Sequence, residues 1–284
     1  MSDLILGAHM SIANGFLGAV KEAHEEYGAN ALQIFCKSPR GRFEKALSEE
    51  EAKATRDYIK EKNIKWLNAH CSYLLNFAKP IDKDPWPVNS LISDVVKTYH
   101  LGGQGVVLHI GKYLELPKDE AFKYLKINLE RVLEETEDTP ALILLEITAG
   151  QGTEIGFKFE ELAEVYDMLS LKSRVGFCFD TAHAFAAGYD ISSKDKVRDT
   201  FDTFNSLLGI NNLKLIHLND SKKPLGSRVD RHANFGSMDA NIGKDGIIAV
   251  AEFAVNHEIP MILETPEING SHLHDLELLR GWIA

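Results

Sequence analysis

The sequence has few cysteines and no segment that could enter a membrane. Its 284 residues include only Cys36, Cys71 and Cys178, and no two of them have a CxxC spacing. This argues against a disulfide-stapled fold or a zinc ribbon and favours a reducing compartment. The opening residues lack a basic segment followed by an apolar one, and no apolar run approaches the ~18 residues of a bilayer span. We therefore expect a cytoplasmic protein, or a nuclear one in a eukaryote, that is neither secreted nor anchored.

Positive charge is also scarce. Lys and Arg total 31 against 42 Asp and Glu, which gives a formal net charge of −11. The balance argues against attraction of the whole protein to nucleic acid or an anionic membrane, so a polyanionic substrate would need a local cationic surface. With 44% hydrophobic and 26% charged residues, the chain can still bury a large core and fold as a globular protein.

Short runs rich in Val, Ile, Leu and Phe alternate with longer amphipathic segments, which is typical of parallel α/β proteins. The predicted strands are Leu4–His9, Ala31–Phe35, Trp66–His70, Gly105–His109, Ala141–Glu146, Val175–Asp180, Leu213–Asn219 and Pro260–Glu264. The segments between them have helical spacing, as in the apolar stripe of Phe159, Leu162, Tyr166 and Leu169. Eight such units without a linker predict a single-domain (β/α)₈ TIM barrel over residues 1–284.

Metal-binding side chains recur where these strands end. Six successive strands finish at or near one, namely His70, His109, Glu146, Asp180, His217 and Glu264. The following loops add His183, Asp230 and His232. In a closed parallel barrel these positions meet at one mouth, where the active sites of this fold lie. A single strand-end His or acid is more often a hydrogen-bonded structural group, but six in succession are difficult to explain in that way.

The mixture of ligand types indicates the metal. Clustered carboxylates would repel one another without a cation, and imidazoles combined with carboxylates suit zinc or manganese. The nine side chains exceed the number that one ion takes, so two or three ions that share bridging carboxylates are expected, as in multinuclear phosphoesterases. His9, at the end of the first strand, is placed to support these ligands.

Two loops concentrate positive charge at the same mouth. After the second strand, Glu44 is the single acid among Lys37, Arg40, Arg42 and Lys45. In residues 221–232, Asp230 is the single acid among Lys222, Lys223, Arg228 and Arg231. Such loops could meet phosphates, although solvated loop charges are an equally good reading of either one. Tyr73 and Leu74 follow His70 and could stack on bases or wedge between them, or cap the barrel's own core.

Four motifs are distinctive, namely GAHMS at 7–11, EITAGQG at 146–152, DTAHAFAAGYD at 180–190 and GSRVDRH at 226–232. Together they resemble the endonuclease IV family of zinc-dependent apurinic/apyrimidinic endonucleases. The resemblance covers nearly the whole chain. It implies a barrel holding three zinc ions, with Mn²⁺ able to substitute, that serves base excision repair. The implied reaction hydrolyses the phosphodiester 5′ to an abasic site and leaves a 3′-hydroxyl and a 5′-deoxyribose phosphate. Blocked 3′ ends are also implied substrates.

The resemblance also implies roles for individual residues. One ion would be held by His70, His109 and Glu146, a second by Glu146, Asp180, His217 and Glu264, and a third by His183, Asp230 and His232. Glu146 and Glu264 would be catalytic. The family's DNA-contacting loop residues match Arg40, Tyr73 and Leu74. The two basic loops at the carboxyl ends of the strands add Lys37, Arg228 and Arg231 as expected contacts to double-stranded DNA. We expect a monomer.

Some positions depart from the family pattern, and two other functions remain open. Ile147 replaces a customary Asn, and the segment 235–243 is longer than its counterpart and lacks the usual Gly-Glu-Gly. A metal-dependent sugar isomerase or epimerase would use a related barrel, but four imidazoles would then be surplus to its one or two ions. A DNA-damage binding module without catalysis would be expected to have lost some of the ligands. Metal content separates the first alternative, and an incision assay separates the second.

Overall fold

Eight parallel strands close into a barrel in the computed structural model, which describes residues 4–284. The barrel strands are β1 (Leu6–Met10), β2 (Ala31–Phe35), β3 (Trp66–His70), β4 (Gly105–Leu108), β5 (Leu142–Glu146), β6 (Val175–Asp180), β7 (Leu213–His217) and β10 (Met261–Leu263). They follow one another in sequence around the ring, and β10 closes it by pairing with both β7 and β1. The predicted TIM barrel is confirmed.

Helices surround this ring, and a short antiparallel hairpin rises from its mouth. The helices are α1 (Phe16–Glu25), α2 (Glu49–Glu61), α3 (Trp86–His100), α4 (Lys118–Glu135), α5 (Phe159–Met168), α6 (Thr181–Ala187), α7 (Lys194–Leu208), α8 (Gly243–Asn256) and α9 (Leu273–Ile283). The hairpin pairs β8 (Asp220–Ser221) with β9 (His232–Ala233). Within residues 4–284, no helix combines the length and apolar character that crossing a bilayer requires.

Helix α4 shows how the sequence pattern produces the outer layer. Pro117 precedes its first turn, where a missing N–H costs nothing. Leu125, Leu129 and Val132 recur at helical spacing and are fully buried against the barrel. Burying three such side chains contributes several kcal/mol, at about 1.5–3 kcal/mol each.

The barrel interior is layered, and this layering positions the polar site. One interior layer is apolar and lies on the amino-terminal side of the polar site. It consists of Ala31, Val107, Leu144, Cys178, Leu215 and Ile262. Side chains two residues apart on a strand face the same side. The next interior layer toward the carboxyl ends therefore contains Gln33, His109, Glu146, Asp180, His217 and Glu264. On each of these strands, the residue of the polar layer comes two positions after the residue of the apolar layer. This spacing places five of the predicted ligands at the mouth.

Several strand bounds differ from the sequence prediction, since β4 ends at Leu108, β5 begins at Leu142 and β10 runs from Met261 to Leu263. Strand β7 ends at His217, two residues before the predicted Asn219. Strand β1 is shifted and runs from Leu6 to Met10. The hairpin was not predicted at all.

Candidate metal centre

The first group of ligands surrounds one oxygen of Glu146. Nε2 of His109 lies 2.8 Å from Glu146 Oε2, and Nε2 of His70 lies 3.2 Å from the same oxygen. The three ligand atoms lie within 4.8 Å of one another. Strands β3, β4 and β5 are neighbours in the barrel, so their carboxyl ends bring the three side chains together.

The second group uses the other oxygen of Glu146. His217 Nδ1 lies 2.9 Å from Glu146 Oε1, 3.3 Å from Glu264 Oε2 and 3.8 Å from Asp180 Oδ2. These four residues also place ligand atoms within 4.8 Å of one another. Glu146 is fully buried and belongs to both groups, and its role as a bridging ligand stays a prediction.

The third group lies toward the hairpin. Asp180, His183 and His232 place ligand atoms within 4.8 Å of one another. Asp230 Oδ1 lies 3.3 Å from His183 Nε2 and 3.4 Å from His232 Nε2. Asp180 also caps α6 by accepting a hydrogen bond from the His183 amide, which holds the two side chains in fixed relation. All nine predicted ligands thus meet at one mouth, and their assignment as ligands stays a prediction.

Four imidazoles in the three groups are oriented by hydrogen bonds on their outer nitrogens. Nδ1 of His70 bonds to the Cys71 carbonyl at 2.7 Å, Nδ1 of His183 to the Ile147 carbonyl at 3.0 Å, and Nδ1 of His232 to the Glu264 carbonyl at 3.1 Å. Nε2 of His217 bonds to Oε1 of Gln33 at 2.8 Å. A ring whose outer nitrogen donates presents the lone pair of its other nitrogen to the interior, which is the arrangement that metal-binding histidines require.

Electrostatics in the cluster favour bound positive charge. Burial alone would raise the pKa of Glu146, but the neighbouring imidazoles of His109 and His217 hold that pKa well below its usual range. Burial would lower the pKa of His183, but the carboxylates of Asp180 and Asp230 raise it well above its usual range. The buried carboxylates therefore attract protons onto the histidines, and a cation would replace those protons.

The donor set fits divalent metal ions. It consists of imidazole nitrogens and carboxylate oxygens, as zinc and manganese prefer. His232 Nε2 is buried without a hydrogen-bond partner, although it lies 3.5 Å from Asp180 Oδ2. Such an orphaned nitrogen is costly unless it binds a ligand.

The predicted DNA-contacting residues lie on two parts of the mouth. The first part is formed by the loops after β2 and β3, and the second is the basic loop that contains Arg228 and Arg231. Arg40 and Tyr73 line a cavity of about 580 Å³ that reaches His109, His232 and Glu264. Tyr73 and Leu74 are half exposed, at 49% and 51%. The loops after β2 and β3 are held together because the Pro39 carbonyl accepts hydrogen bonds from the Tyr73 amide and the Ser72 hydroxyl, each at 3.0 Å.

The two arginines of the second basic loop have different surroundings. Arg231 is exposed and lines the same cavity. The guanidinium of Arg228 lies 4.5 Å from the centre of the Phe157 ring, which fixes its position while leaving the residue exposed.

The prediction that Lys37 contacts DNA is contradicted by its burial. Lys37 is only 3% exposed. Its ammonium group donates to Ser90 Oγ at 2.6 Å and ion-pairs with Glu44 at 2.7 Å and Asp94 at 3.2 Å. Glu44 also pairs with Lys97, and Arg42 pairs with Asp84, so the loop presents much less charge than its +3 suggests. Arg40 is its one cation that lines the mouth cavity among the described residues.

Sequence reasoning missed several residues of the site. Gln33 and Asn219 are fully buried amides that contact the predicted ligands. Asn219 donates to Asp180 Oδ2 at 2.8 Å and accepts from the Glu264 amide at 2.7 Å. Lys112 lines the cavity three residues after His109. The two-residue period of β2, which places Gln33 above Ala31, was the signal that could have found Gln33.

Three comparisons with known proteins agree with this geometry. A family model described as a xylose isomerase-like TIM barrel matches residues 21–282. The "Probable endonuclease 4" of Halothermothrix orenii is 38% identical over 283 residues, which cover 96% of this chain and 97% of the relative. Endonuclease IV from Thermus thermophilus superposes with a TM-score of 0.85 at 33% identity, covering 98% of each chain. A D-tagatose 3-epimerase-like protein superposes at a TM-score of 0.71 over 98% of this chain and 97% of its own, but at 20% identity the likeness shows the fold alone.

The fold and the site first define a class, a parallel barrel with a buried cluster of nitrogen and oxygen donors suited to metal. The identity shared across nearly the whole length then shows that the chain belongs to the endonuclease IV family, which confirms the resemblance seen in the sequence motifs. It is therefore a nuclease that hydrolyses phosphodiester bonds.

Proposed function

We propose that the protein repairs DNA by incising the backbone 5′ to abasic sites through a multinuclear metal centre. The observation that carries the proposal is the pair of buried ligand groups sharing Glu146, directly below a cavity lined by Arg40 and Tyr73. The family relationship supports a nuclease, and the cavity supports a damaged-DNA substrate. The products would be a 3′-hydroxyl and a 5′-deoxyribose phosphate, and the same site would clear blocked 3′ ends.

Three zinc ions would be held by the three ligand groups, with manganese as a substitute. When bound, the ions would supply Lewis acidity toward the phosphate and a water nucleophile at neutral pH. Glu146 and Glu264 would be the catalytic carboxylates, because both reach the interior between the groups. The nitrogens and oxygens are already held by hydrogen bonds, so little reorganisation is needed when the phosphate arrives.

The mouth residues would select and position the DNA. Arg40 and Arg231 line the cavity and would neutralise backbone phosphates. Tyr73 and Leu74 would enter the duplex where the base is missing. An abasic nucleotide has no base to unpair or unstack, so extruding it costs less than extruding an intact nucleotide. We expect a monomer to suffice, since the three groups come from one chain.

An incision assay tests the proposal. A 5′-labelled duplex with one abasic site should be cut 5′ to the site by the zinc-loaded protein, and a polymerase should extend the product from its 3′-hydroxyl. Glu264→Gln should slow incision at least about 100-fold, the upper end of the effect seen when partners of metal ligands are changed.

Glu267→Gln is the matched control. This glutamate is three residues further on, with a side chain 56% exposed, and belongs to none of the three groups. It should leave incision near the wild-type rate. Incision that survived complete metal removal, or equal rates for wild type and Glu264→Gln, would refute the proposal.

A further inference from the structure

A buried carboxamide, that of Gln33, lies beside the second ligand group in the same interior layer. We propose that Gln33 is a positioning residue that sets the ring orientation of His217 and the carboxylate orientation of Glu264, and thereby the metal affinity of that group. The inference rests on the proposed metal centre. Gln33 is fully buried on β2, one layer above Ala31, and β2 lies across the barrel from β6.

The oxygen and the nitrogen of the Gln33 carboxamide each have two hydrogen-bonding partners. Oε1 accepts from His217 Nε2 at 2.8 Å and from Asn68 Nδ2 at 2.6 Å. Nε2 donates to Glu264 Oε1 and contacts His9 Nδ1 at 2.9 Å. A glutamine has two N–H donors and two main acceptor positions, so its hydrogen-bonding capacity is filled. One side chain thus connects residues of β1, β2, β3 and β7 to the residue that follows β10.

The contacts around this carboxamide permit only one orientation of its oxygen and nitrogen. If His217 Nδ1 faces the acids of the second group, its Nε2 carries the hydrogen and needs an acceptor. Rotating the amide by half a turn would place N–H groups against that hydrogen and the carbonyl oxygen against the Glu264 carboxylate. Asn68 prevents such a rotation, because its Oδ1 accepts from Trp66 Nε1 at 2.9 Å and its amide nitrogen therefore faces Gln33.

Comparison with the other histidines shows why this role falls to a side chain. His70, His183 and His232 use backbone carbonyls as outer acceptors. His217 points to the centre of the barrel, and its outer nitrogen meets the Gln33 side chain there. The orientation of the His217 ring therefore depends on the side chain of Gln33, which a substitution can remove. A backbone carbonyl acceptor would persist through any substitution of the residue that carries it.

The primary test removes the amide and keeps its volume. Gln33→Met should weaken binding of one zinc ion about 10- to 100-fold, the usual effect of losing a ligand's hydrogen-bond partner. Stepwise zinc affinities are measured by competition with a chromophoric chelator. Asn128→Leu is the matched control, because Asn128 is a buried amide on α4 that donates to the Phe77 and Lys79 carbonyls and belongs to none of the three groups. It should leave all zinc affinities unchanged.

A second measurement needs only the wild-type holoenzyme. With ¹⁵N-labelled histidine, the zinc-loaded protein should show His217, assigned by the signal lost in His217→Asn, as the tautomer protonated on Nε2. This result would stand even if Gln33→Met failed to fold.

The outcomes separate the inference from the proposed function. Unchanged zinc affinities in Gln33→Met would overturn the positioning role while leaving the nuclease proposal intact. A His217 that carries its hydrogen on Nδ1 in the loaded protein would overturn both the positioning role and the assignment of His217 to the second group. A wild-type protein that bound no zinc tightly would overturn both.

Discussion

Lys37 and Arg40 lie three residues apart in one loop, but their charges serve different purposes. The Lys37 ammonium is buried against α3, where it pairs with Asp94. Arg40 is exposed and lines the mouth cavity. A cation buried with its counter-ion anchors the loop, and an exposed cation is free to meet phosphate.

Lys37→Met should therefore lower the free energy of unfolding, by about 3 kcal/mol at pH 8, because it leaves Asp94 buried without a cation. Burial raises the pKa of Asp94 to about 7 even with Lys37 present. An acid with a raised pKa in the folded state favours folding while it is protonated, and this contribution is lost as the pH rises through that pKa. The deficit of Lys37→Met should consequently be smaller at pH 5 than at pH 8, as measured by urea unfolding.

Arg40→Ala is the counterpart on the same loop. It should change stability by no more than about 0.5 kcal/mol, as exposed substitutions usually do, and should weaken binding to an abasic duplex in fluorescence anisotropy. If Lys37→Met kept wild-type stability and Arg40→Ala kept wild-type DNA affinity, the division of roles would be wrong.

These residues show what sequence could and could not reveal about the site. Glu146 and Asp180 end apolar strands, so a two-residue period and a parallel barrel suffice to bring them to one mouth. The burial of Lys37 depends on Asp94, which is 57 residues away in sequence and meets it only when α3 packs against the loop. Local charge counting cannot detect such a partner.

At the scale of elements, Asp220 holds the mouth hairpin against the start of α8. Its fully buried carboxylate accepts hydrogen bonds from the amides of Ser221 at 2.7 Å, Ile242 at 2.8 Å and Gly243 at 3.0 Å. The segment 235–243, which departs from the family pattern, thus has its final residues tied to β8.

Asp220→Ala should destabilise the protein by about 3 kcal/mol, because three backbone amides lose the buried carboxylate that accepts their hydrogen bonds. It should also make the segment 235–243 more sensitive to proteolysis, near the fully exposed Met238. Unfolding by denaturant and limited digestion measure the two effects.

Asp239→Asn provides the control within the same segment. Asp239 is exposed and accepts a hydrogen bond from the Ser237 hydroxyl. Its substitution should change stability by no more than about 0.5 kcal/mol. Equal destabilisation by the two substitutions would show that the Asp220 contacts do not anchor the segment.

The barrel strands were predictable and the hairpin was not, for a physical reason. A barrel strand such as Val175–Asp180 is buried along its whole length, so its apolar run is conspicuous. Strands β8 and β9 have two residues each and include Asp220 and His232. Two polar residues carry no periodic signal, and only the fold places them side by side.

At the scale of the whole molecule, the acidic total and a DNA substrate are compatible because charge is unevenly distributed. Three Zn²⁺ would bring the formal charge from −11 to about −5. The mouth cavity is lined by the cations Arg40, Lys112, Lys222 and Arg231 and by the carboxylates of Glu154, Asp230 and Glu264, of which the last two would be committed to metal. An acidic body with one cationic face would bind DNA at that face alone.

DNA affinity should therefore fall with salt and with metal removal. Four phosphate contacts predict a slope of roughly −3.5 for log affinity against log salt concentration. Metal-stripped protein should bind an abasic duplex more weakly at every salt concentration, since its carboxylates would then repel the backbone. Anisotropy titrations in KCl measure both effects, and affinity independent of salt would contradict the charge distribution.

Closure of the barrel by β10 has a consequence for the order of events during synthesis. Glu264 follows β10, which is the last of the eight barrel strands to be made and which pairs with the first. A growing chain therefore possesses eight of the nine predicted ligands before it can close the ring. If the predicted ligands form the cutting site, that site becomes complete only when the barrel closes, and we expect no DNA cleavage by a chain still on the ribosome.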